Sequence, residues 1–327
     1  LSRSNPFKTK SPIFVTTVAA VLATASMTAA AEVTRSLPLP SGTPTADQIM
    51  DQVYFVNHFY SFNNYGIGQE GDKITVLVNK SFGEKPTTIT LERYLNNDYD
   101  NDTSVNAKDL AIFRSGKLRG TGMLITDFDE VGKSQSYAVW IPALRKIRRF
   151  AEPAHDDAWG GTDFTFGDVT LRKPHHETHE MMGTETFKGC LGAITLTEDE
   201  KDRYTQDLPP ASCEADGKQV YKVKSTTKFE NWWYDYRVSY VDTQSFADYR
   251  TDFYKDGQHI KVIDRDWRPA KGASGDPRQV VWGYWYGKTF ATKHETWAVI
   301  PEEVVTYNDS SKDESLWSER TLRKIRR

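Results

Sequence analysis

Residues 140–150 read WIPALRKIRRF, and residues 159–169 read WGGTDFTFGDV. The first stretch continues SYAVWI, which begins at Ser136 and alternates apolar and small or polar residues with period two, the pattern of a half-buried strand. Pro142 lacks the backbone N–H that a ladder needs, so the strand is expected to end there. The basic run that follows, Arg145, Lys146, Arg148 and Arg149, is then expected as a loop on the rim of a sheet. In the second stretch Gly160-Gly161 signals a turn that presents Asp163, Phe164 and Asp168. Pairing of Asp163 or Asp168 with Arg148 or Arg149 would fix that rim. The alternative is that the arginines meet anionic lipid headgroups at its mouth.

The same period recurs outward from this point. KITVLVN, TTITLERY and GTGMLITDF precede it, and their short alternating runs with turn signals between them predict an antiparallel sheet built from hairpins. After it, NWWYDYRVSYVD would place Trp232, Tyr234, Tyr236, Val238 and Tyr240 on one face. QVVWGYWYGKTF would place Val280, Trp282, Tyr284, Tyr286 and Phe290 together. Between these two, Asp256-Gly257 reads as a hairpin turn. One clear helix stands ahead of the sheet: Thr45 and Gln48 have capping-box spacing, and Ile49, Val53, Val56 and Tyr60 recur at helical intervals. The closing DESLWSERTLRKIRR is a helix or a strand. With nine Trp, sixteen Tyr and sixteen Phe, the chain has broad aromatic faces suited either to bulky sheet packing or to the wall of a ligand groove.

Arg3, Lys8 and Lys10 precede a threonine-interrupted apolar stretch ending in Ala29-Ala30-Ala31, the pattern of a cleaved secretory signal and a poor permanent span. The expected organisation is a cleaved signal peptide over 1–31, an extended Pro-rich lead-in over 32–44, and a single β-rich domain over 45–327. Removing residues 1–31 takes three basic and no acidic residues, moving the net charge from −3 to −6. That balance argues against a nucleic-acid partner. Cys190 and Cys213 are the two cysteines; in an exported protein they suggest one disulfide closing a polar, turn-rich segment, which would contribute about 3 kcal/mol in the chain-entropy model. Free thiols or a metal site are the alternatives.

PHHETHEMM, residues 174–182, has two histidines four apart, but its Glu177 and Glu180 do not fit the helical zinc-protease order. As a strand it would line His175, Glu177 and His179 on one face, and the default is a solvated strand with no metal. No G-x-S-x-G elbow, phosphate loop or dinucleotide fingerprint occurs. The reading is therefore non-enzymatic and without cofactor.

YAVWIPALRKIRRF followed by GGTDFTFGDV resembles the larger exported relatives of the LolA/LolB outer-membrane lipoprotein-sorting proteins. The resemblance rests on Trp140, Ile141, Pro142, Arg145, Arg148, Arg149, Gly161, Thr162, Asp163, Phe164 and Asp168. It continues in WWYDYRVSYVDTQSF through Tyr234, Asp235, Tyr240, Asp242 and Phe246, and in LWSERTLRKIRR. It implies a half-open antiparallel β-barrel, mainly β with covering helices, whose apolar concave face accommodates acyl chains. The chain is longer than the archetypal carrier and has no lipid-attachment cysteine, so it looks like a soluble periplasmic carrier of a lipid or lipidated protein. The resemblance also makes an inner-membrane exporter of the resistance-nodulation-division type a plausible partner. The expected ligand-binding residues are Val53, Val56, Trp140, Arg148, Arg149, Phe164, Trp232, Tyr234, Tyr236, Trp282 and Tyr284, with the helix at 45–60 as the lid. The competing readings are a secreted metal-dependent hydrolase using His175, His179 and Glu177 or Glu180, and a non-catalytic adaptor of an envelope complex.

Overall fold

Thr45 starts the helix as its spacing predicts: Gln48 N–H donates to Thr45 Oγ1 (3.2 Å) and Thr45 N–H to Gln48 Oε1 (2.9 Å). Two orphan donors of the first turn are thereby satisfied, and α1 runs over Ala46–Asn57. The computed structural model describes residues 32–99, 104–130, 132–273 and 275–325; the expected signal peptide lies outside the described residues.

After α1 come β1 (Asn64–Ile67), β2 (Gln69–Glu70), β3 (Lys73–Lys80), β4 (Thr87–Asn96), β5 (Val105–Phe113), β6 (Gly122–Phe128), β7 (Ser136–Ile141) and β8 (Lys146–Phe150). The second half contains β9 (Glu177–Thr186), β10 (Gln219–Thr227), β11 (Tyr236–Asp242), β12 (Asp248–Lys255), β13 (Gln258–Pro269), β14 (Val280–Thr289), β15 (His294–Val299), β16 (Val305–Tyr307) and a short α2 (Glu319–Lys324). The main sheet has the order β8-β7-β6-β5-β4-β3-β15-β14-β13-β12-β11-β10-β9, with every pairing antiparallel. It is an open sheet, with β8 and β9 as its two ends.

Two meanders make this order. The first walks from β3 at the centre out to β8; the second starts at the far end with β9 and walks back until β15 pairs with β3. Residues 151–176 must therefore carry the chain from one end of the sheet to the other. Thirteen strands laid flat are roughly 60 Å across at 4.8 Å per step. The connection spends several residues on a hairpin, a π-helical turn at Gly167–Leu171 and a 3-10 turn at Pro174–His176, so it crosses a curled sheet more readily than a flat one.

Each face of the sheet is covered. On the inner face lie α1 and the 151–176 connection; α1 touches β9 and the turn before it. On the outer face lies the excursion 187–218 between β9 and β10, whose neck is closed by the Cys190–Cys213 disulfide. It is held by Ser212 Oγ to Asp266 (2.6 Å), Gly192 N–H to Asp264 (2.7 Å) and Lys80 to Glu200 (2.7 Å). The C-terminal segment covers the rest of that face, packing Trp317 and Leu322 on Leu110, Ile112 and Leu124. In place of the expected covering helices there are one α-helix and an irregular crossing segment inside, with mostly irregular chain outside. Among the described residues no helix is long and apolar enough to cross a membrane.

Three local expectations change. The basic run is not a rim loop: residues 142–145 make a tight turn, with Leu144 N–H donating to Ile141 O and Arg145 in the left-handed region (φ 49°), and Lys146–Phe150 return as end strand β8. Exposed arginine and lysine suit such an end, where they discourage edge-to-edge pairing. Trp232 and Tyr234 lie in the turn ahead of β11, because Asn231 adopts φ 52° and the ladder begins at Tyr236. In β14 a bulge at Gly283 breaks the alternation, since Asp266 pairs with Tyr284 but Trp267 with Trp282. One extra residue turns the following side chains over. Trp282 and Trp285 consequently share the inner face, while Tyr284 and Tyr286 face outward.

Candidate functional site: a roofed cavity on the inner face

The connection 151–176 forms a small hairpin as it crosses the sheet. Ala158 bridges to Thr165, Trp159 N–H donates to Phe164 O (2.7 Å), and Gly160 and Gly161 both take positive φ (64° and 79°) at its tip. Successive left-handed residues are inexpensive for glycine, which explains the Gly-Gly pair. The hairpin directs Trp159 and Phe164 together onto the inner face, where both are buried.

Between these rings and the sheet is a cavity of about 50 Å³. The sheet contributes Thr75, Leu77, Leu91, Trp282, Trp285 and Ala298 to its wall, and the roof contributes Trp159, Phe164 and Val169. Phe164 meets Trp285 edge to face at 5.4 Å. Gly287 of β14 lies beneath: a Cβ there would stand 2.9 Å from the Phe164 ring and 3.1 Å from Asp163 Cβ. The glycine is what lets the roof descend onto the strand. The lining is mainly aromatic and aliphatic, with Arg93 as its one charged member, and three polar atoms in wall residues, Thr75 Oγ1 and the indole nitrogens of Trp282 and Trp285, are buried with no hydrogen-bond partner among the described residues. Leaving such groups unpaired costs about 1–3 kcal/mol each.

Charged latches hold the roof. Asp163 Oδ1 accepts from Thr289 Oγ1 (2.6 Å), and its Oδ2 lies 2.6 Å from His294 Nδ1 and 3.0 Å from Thr296 Oγ1. Asp168 is paired with Lys261 of β13 (2.8 Å) and with Arg172 (3.0 Å). Burial works to raise the Asp168 carboxyl, but the Lys261 ammonium and Arg172 guanidinium outweigh it and hold the group well below the usual carboxylate range. At the end of the roof Lys173 joins Asp127 of β6 (3.5 Å) and Glu32. In the cavity wall itself, Arg93 grips Asp109 through two guanidinium nitrogens (2.7–3.1 Å) and lies 5.8 Å from the Trp282 ring. Buried pairs of this kind fix geometry more than they add stability.

The sequence-predicted site residues separate. Phe164 and Trp282 line the cavity. Val53 and Val56 are buried in α1, and Tyr234 is buried on the inner side, donating to Glu177 (2.9 Å). Trp232 packs with Phe229 and His155 outside the cavity wall. Trp140 packs outward on the C-terminal cluster, Tyr236 stacks outward on Tyr254, and Tyr284 meets Trp297 and Ser212 on the outer face. Arg148 and Arg149 are exposed on β8; Arg149 pairs with Glu319 (2.6 Å) rather than with Asp163 or Asp168. The lining of this cavity comes from the roof and the sheet, with no residue of α1. Trp159 and Trp285 escaped sequence reasoning, one because it sits in a turn, the other because the bulge moves it across the strand.

Two residues of the hydrolase reading, Glu177 and His179, are otherwise engaged. Glu177 is locked by Arg237 (2.6–3.1 Å): burial raises its carboxyl, but the guanidinium prevails and brings it down to about 2. His179 bonds Ser225 Oγ and Pro174 O, and among the described residues no cluster of three ligating side chains could hold a metal ion.

An outer membrane lipoprotein-sorting assignment is carried by a Vibrio parahaemolyticus protein domain whose solved structure matches 85% of this chain and 98% of its own, with TM-score 0.61 at 12% identity. The chain has the LolA-like fold. A DUF1329 family protein from Desulfovibrio piger is similar over 86% of this chain and 100% of its own (TM-score 0.61, 13% identity). A LolA superfamily protein from Nitrosomonas europaea matches 85% of this chain and 100% of its own (TM-score 0.51, 9% identity). A family model described only as an uncharacterized protein matches residues 106–266, which include the roof, and no curated protein matches the chain in sequence. The chain thus shares its fold with these structures at low identity.

Proposed function

We propose that the protein is a non-catalytic periplasmic carrier that shelters the acyl chains of a lipid or lipidated protein between the inner face and the roof, for transfer towards the outer membrane. The observation that carries this reading is the aromatic cavity closed by a separately latched segment. At about 50 Å³ the closed cavity has room for one or two waters at about 30 Å³ each, so cargo enters only when residues 159–169 lift. Burial of an acyl chain supplies about 0.8 kcal/mol per methylene. Twelve methylenes give roughly 10 kcal/mol, enough to offset several charge-assisted roof contacts at about 1.5–3 kcal/mol each. The partnerless hydroxyl and indole groups favour a cargo with ester or amide oxygens near its chain. The likeness in fold to a domain assigned to lipoprotein sorting supports the same class, and a resistance-nodulation-division exporter is the proposed inner-membrane partner.

The test is titration with acyl chains brominated along their length, which quench indole fluorescence on contact, together with solvent extraction of protein isolated from its own periplasm. Saturable quenching that weakens in Trp282→Phe and Trp285→Phe is expected. A folded protein that shows no quenching and yields no extracted lipid would refute the carrier reading.

A further inference from the structure

The hexapeptide Leu-Arg-Lys-Ile-Arg-Arg occurs twice, at residues 144–149 and 322–327, and the fold brings the first copy together with residues 322–325 of the second. Helix α2 packs on β6, β7 and β8. Ile147 of the first copy and Leu322 and Ile325 of the second enter one apolar cluster with Trp140 and Trp317. Gly122 of β6 permits the contact, since a Cβ there would stand 2.1 Å from Ile325 Cδ1 and 2.9 Å from Leu322 Cδ2. Alternation along β8 puts Arg149 on the α2 side with Ile147 and turns Lys146 and Arg148 to the other side of this end strand; with Arg145 in the turn, all four are exposed around the same edge as Arg320, Arg323 and Lys324. Register places the turn holding exposed Lys117 and Arg119 at the same end of the sheet, because Gly122 pairs with Trp140. Among the described residues one carboxylate, Glu319, pairs with this group, taking Arg149 (2.6 Å) and Arg323 (3.1 Å). Two apolar side chains stand exposed on the same hairpin, Leu144 (49%) and Phe150 (51%).

We propose that this basic surface, built from residues 144–149 and 320–325, is a docking site for a bilayer carrying anionic phospholipid headgroups. The patch opposes the sign of a chain whose net charge is −3, so the molecule is electrically polar and an anionic surface would orient it with this end down. Basic side chains near such a surface act over about a Debye length, and stable attachment needs a second, apolar contribution, which Leu144 and Phe150 supply. An acidic protein partner would use the cations but leave those two side chains without a role. The site wraps around the β8 end of the sheet, with Arg149 and α2 on the outer face and Lys146, Arg148 and Phe150 on the other; it is separate from the roofed cavity and does not depend on the carrier reading.

Flotation with vesicles of phosphatidylcholine alone and of equimolar phosphatidylcholine and phosphatidylglycerol tests this. The wild-type protein should float with the anionic vesicles at low salt, dissociate as salt rises, and ignore the neutral ones. Loss of one basic contact corresponds to roughly fivefold weaker partitioning, so R145E/K146E and R323E/K324E should each weaken it at least about 25-fold, while circular dichroism shows the fold intact. Leu144→Ser should weaken the binding that persists at higher salt. Lys188→Glu, an exposed lysine just beyond β9 at the other end of the sheet, should leave binding unchanged. Absence of binding to anionic vesicles, equal binding to neutral ones, insensitivity to both double reversals, or an equal effect of Lys188→Glu would each overturn the proposal.

Discussion

Phe164→Ala separates a roof that moves on its own from one that is simply core. Phe164 is 2% exposed, contacts Trp285 edge to face and rests over Gly287. Truncating a phenylalanine in a core that cannot collapse costs about 3–5 kcal/mol. Here the loss should fall on roof docking, because a segment anchored by side-chain latches can open below the free energy of global unfolding. Amides of residues 157–170 should therefore exchange with deuterium roughly two to four orders of magnitude faster. Those of β11–β13, on the long ladder of the second meander, should be little changed. Urea unfolding should report a smaller loss than exchange does, since the opened roof no longer contributes its full docking energy. Acyl-chain binding should strengthen, since less closed-state contact is given up. Uniform acceleration across the sheet, matched by a full loss in global stability, would show that roof and sheet are one cooperative body and would refute the lid mechanism.

Substituting Gly287 by valine adds atoms within 2.9 Å of the Phe164 ring; overpacking of about 1–3 kcal/mol is expected, with the roof exchange rate rising as in Phe164→Ala. Removing the Cys190–Cys213 bridge by double serine substitution should lower stability by about 3 kcal/mol in the chain-entropy model, read from urea midpoints, and expose residues 187–218 to proteolysis before the sheet. Glu177 has its folded carboxyl lowered to about 2 from an ordinary 4.5, so its stabilisation is present above 4.5 and is lost as the pH falls towards 2. Between pH 5 and pH 2 the wild-type protein should lose about 3 kcal/mol more than Glu177→Gln; parallel loss in both would rule out this ion pair as an acid-labile element.

Period and punctuation made much of the sheet legible. The capping box placed the start of α1, although the helix ends at Asn57 and not at Tyr60, and Asp256-Gly257, both at positive φ (49° and 73°), marked the β12–β13 hairpin because few other residues tolerate that turn. The site was less legible, for two physical reasons. Strict alternation assumes an unbroken ladder, and Gly283, skipped in the register with β13, moved Trp285 inward and Tyr284 outward without changing the local composition. Apart from Arg172, four residues from Asp168, the partners of Asp163 and Asp168 in β13–β15 are more than ninety residues away, whereas Arg148 and Arg149 were near in sequence and opposite in charge. Proximity along the chain misled because the 151–176 segment leaves the β8 end at once. Pro142 was read as the close of a strand, but it opens a four-residue turn whose other side is a strand too.

The seam at the centre of the sheet joins β3 to β15, two strands separated by more than two hundred residues. Folding therefore cannot finish by local zippering: the first meander must wait with an open side on β3 until residues 294–299 have been made. At about 5–20 residues per second that interval is on the order of 10–40 s. During it, Val76, Leu77 and Val78 form an unsatisfied aliphatic edge. Loop closure of this length also slows the search itself. The chain's greatest exposure to aggregation thus comes before its last strand is made, and a holding chaperone that covers β3 would be most useful in that window.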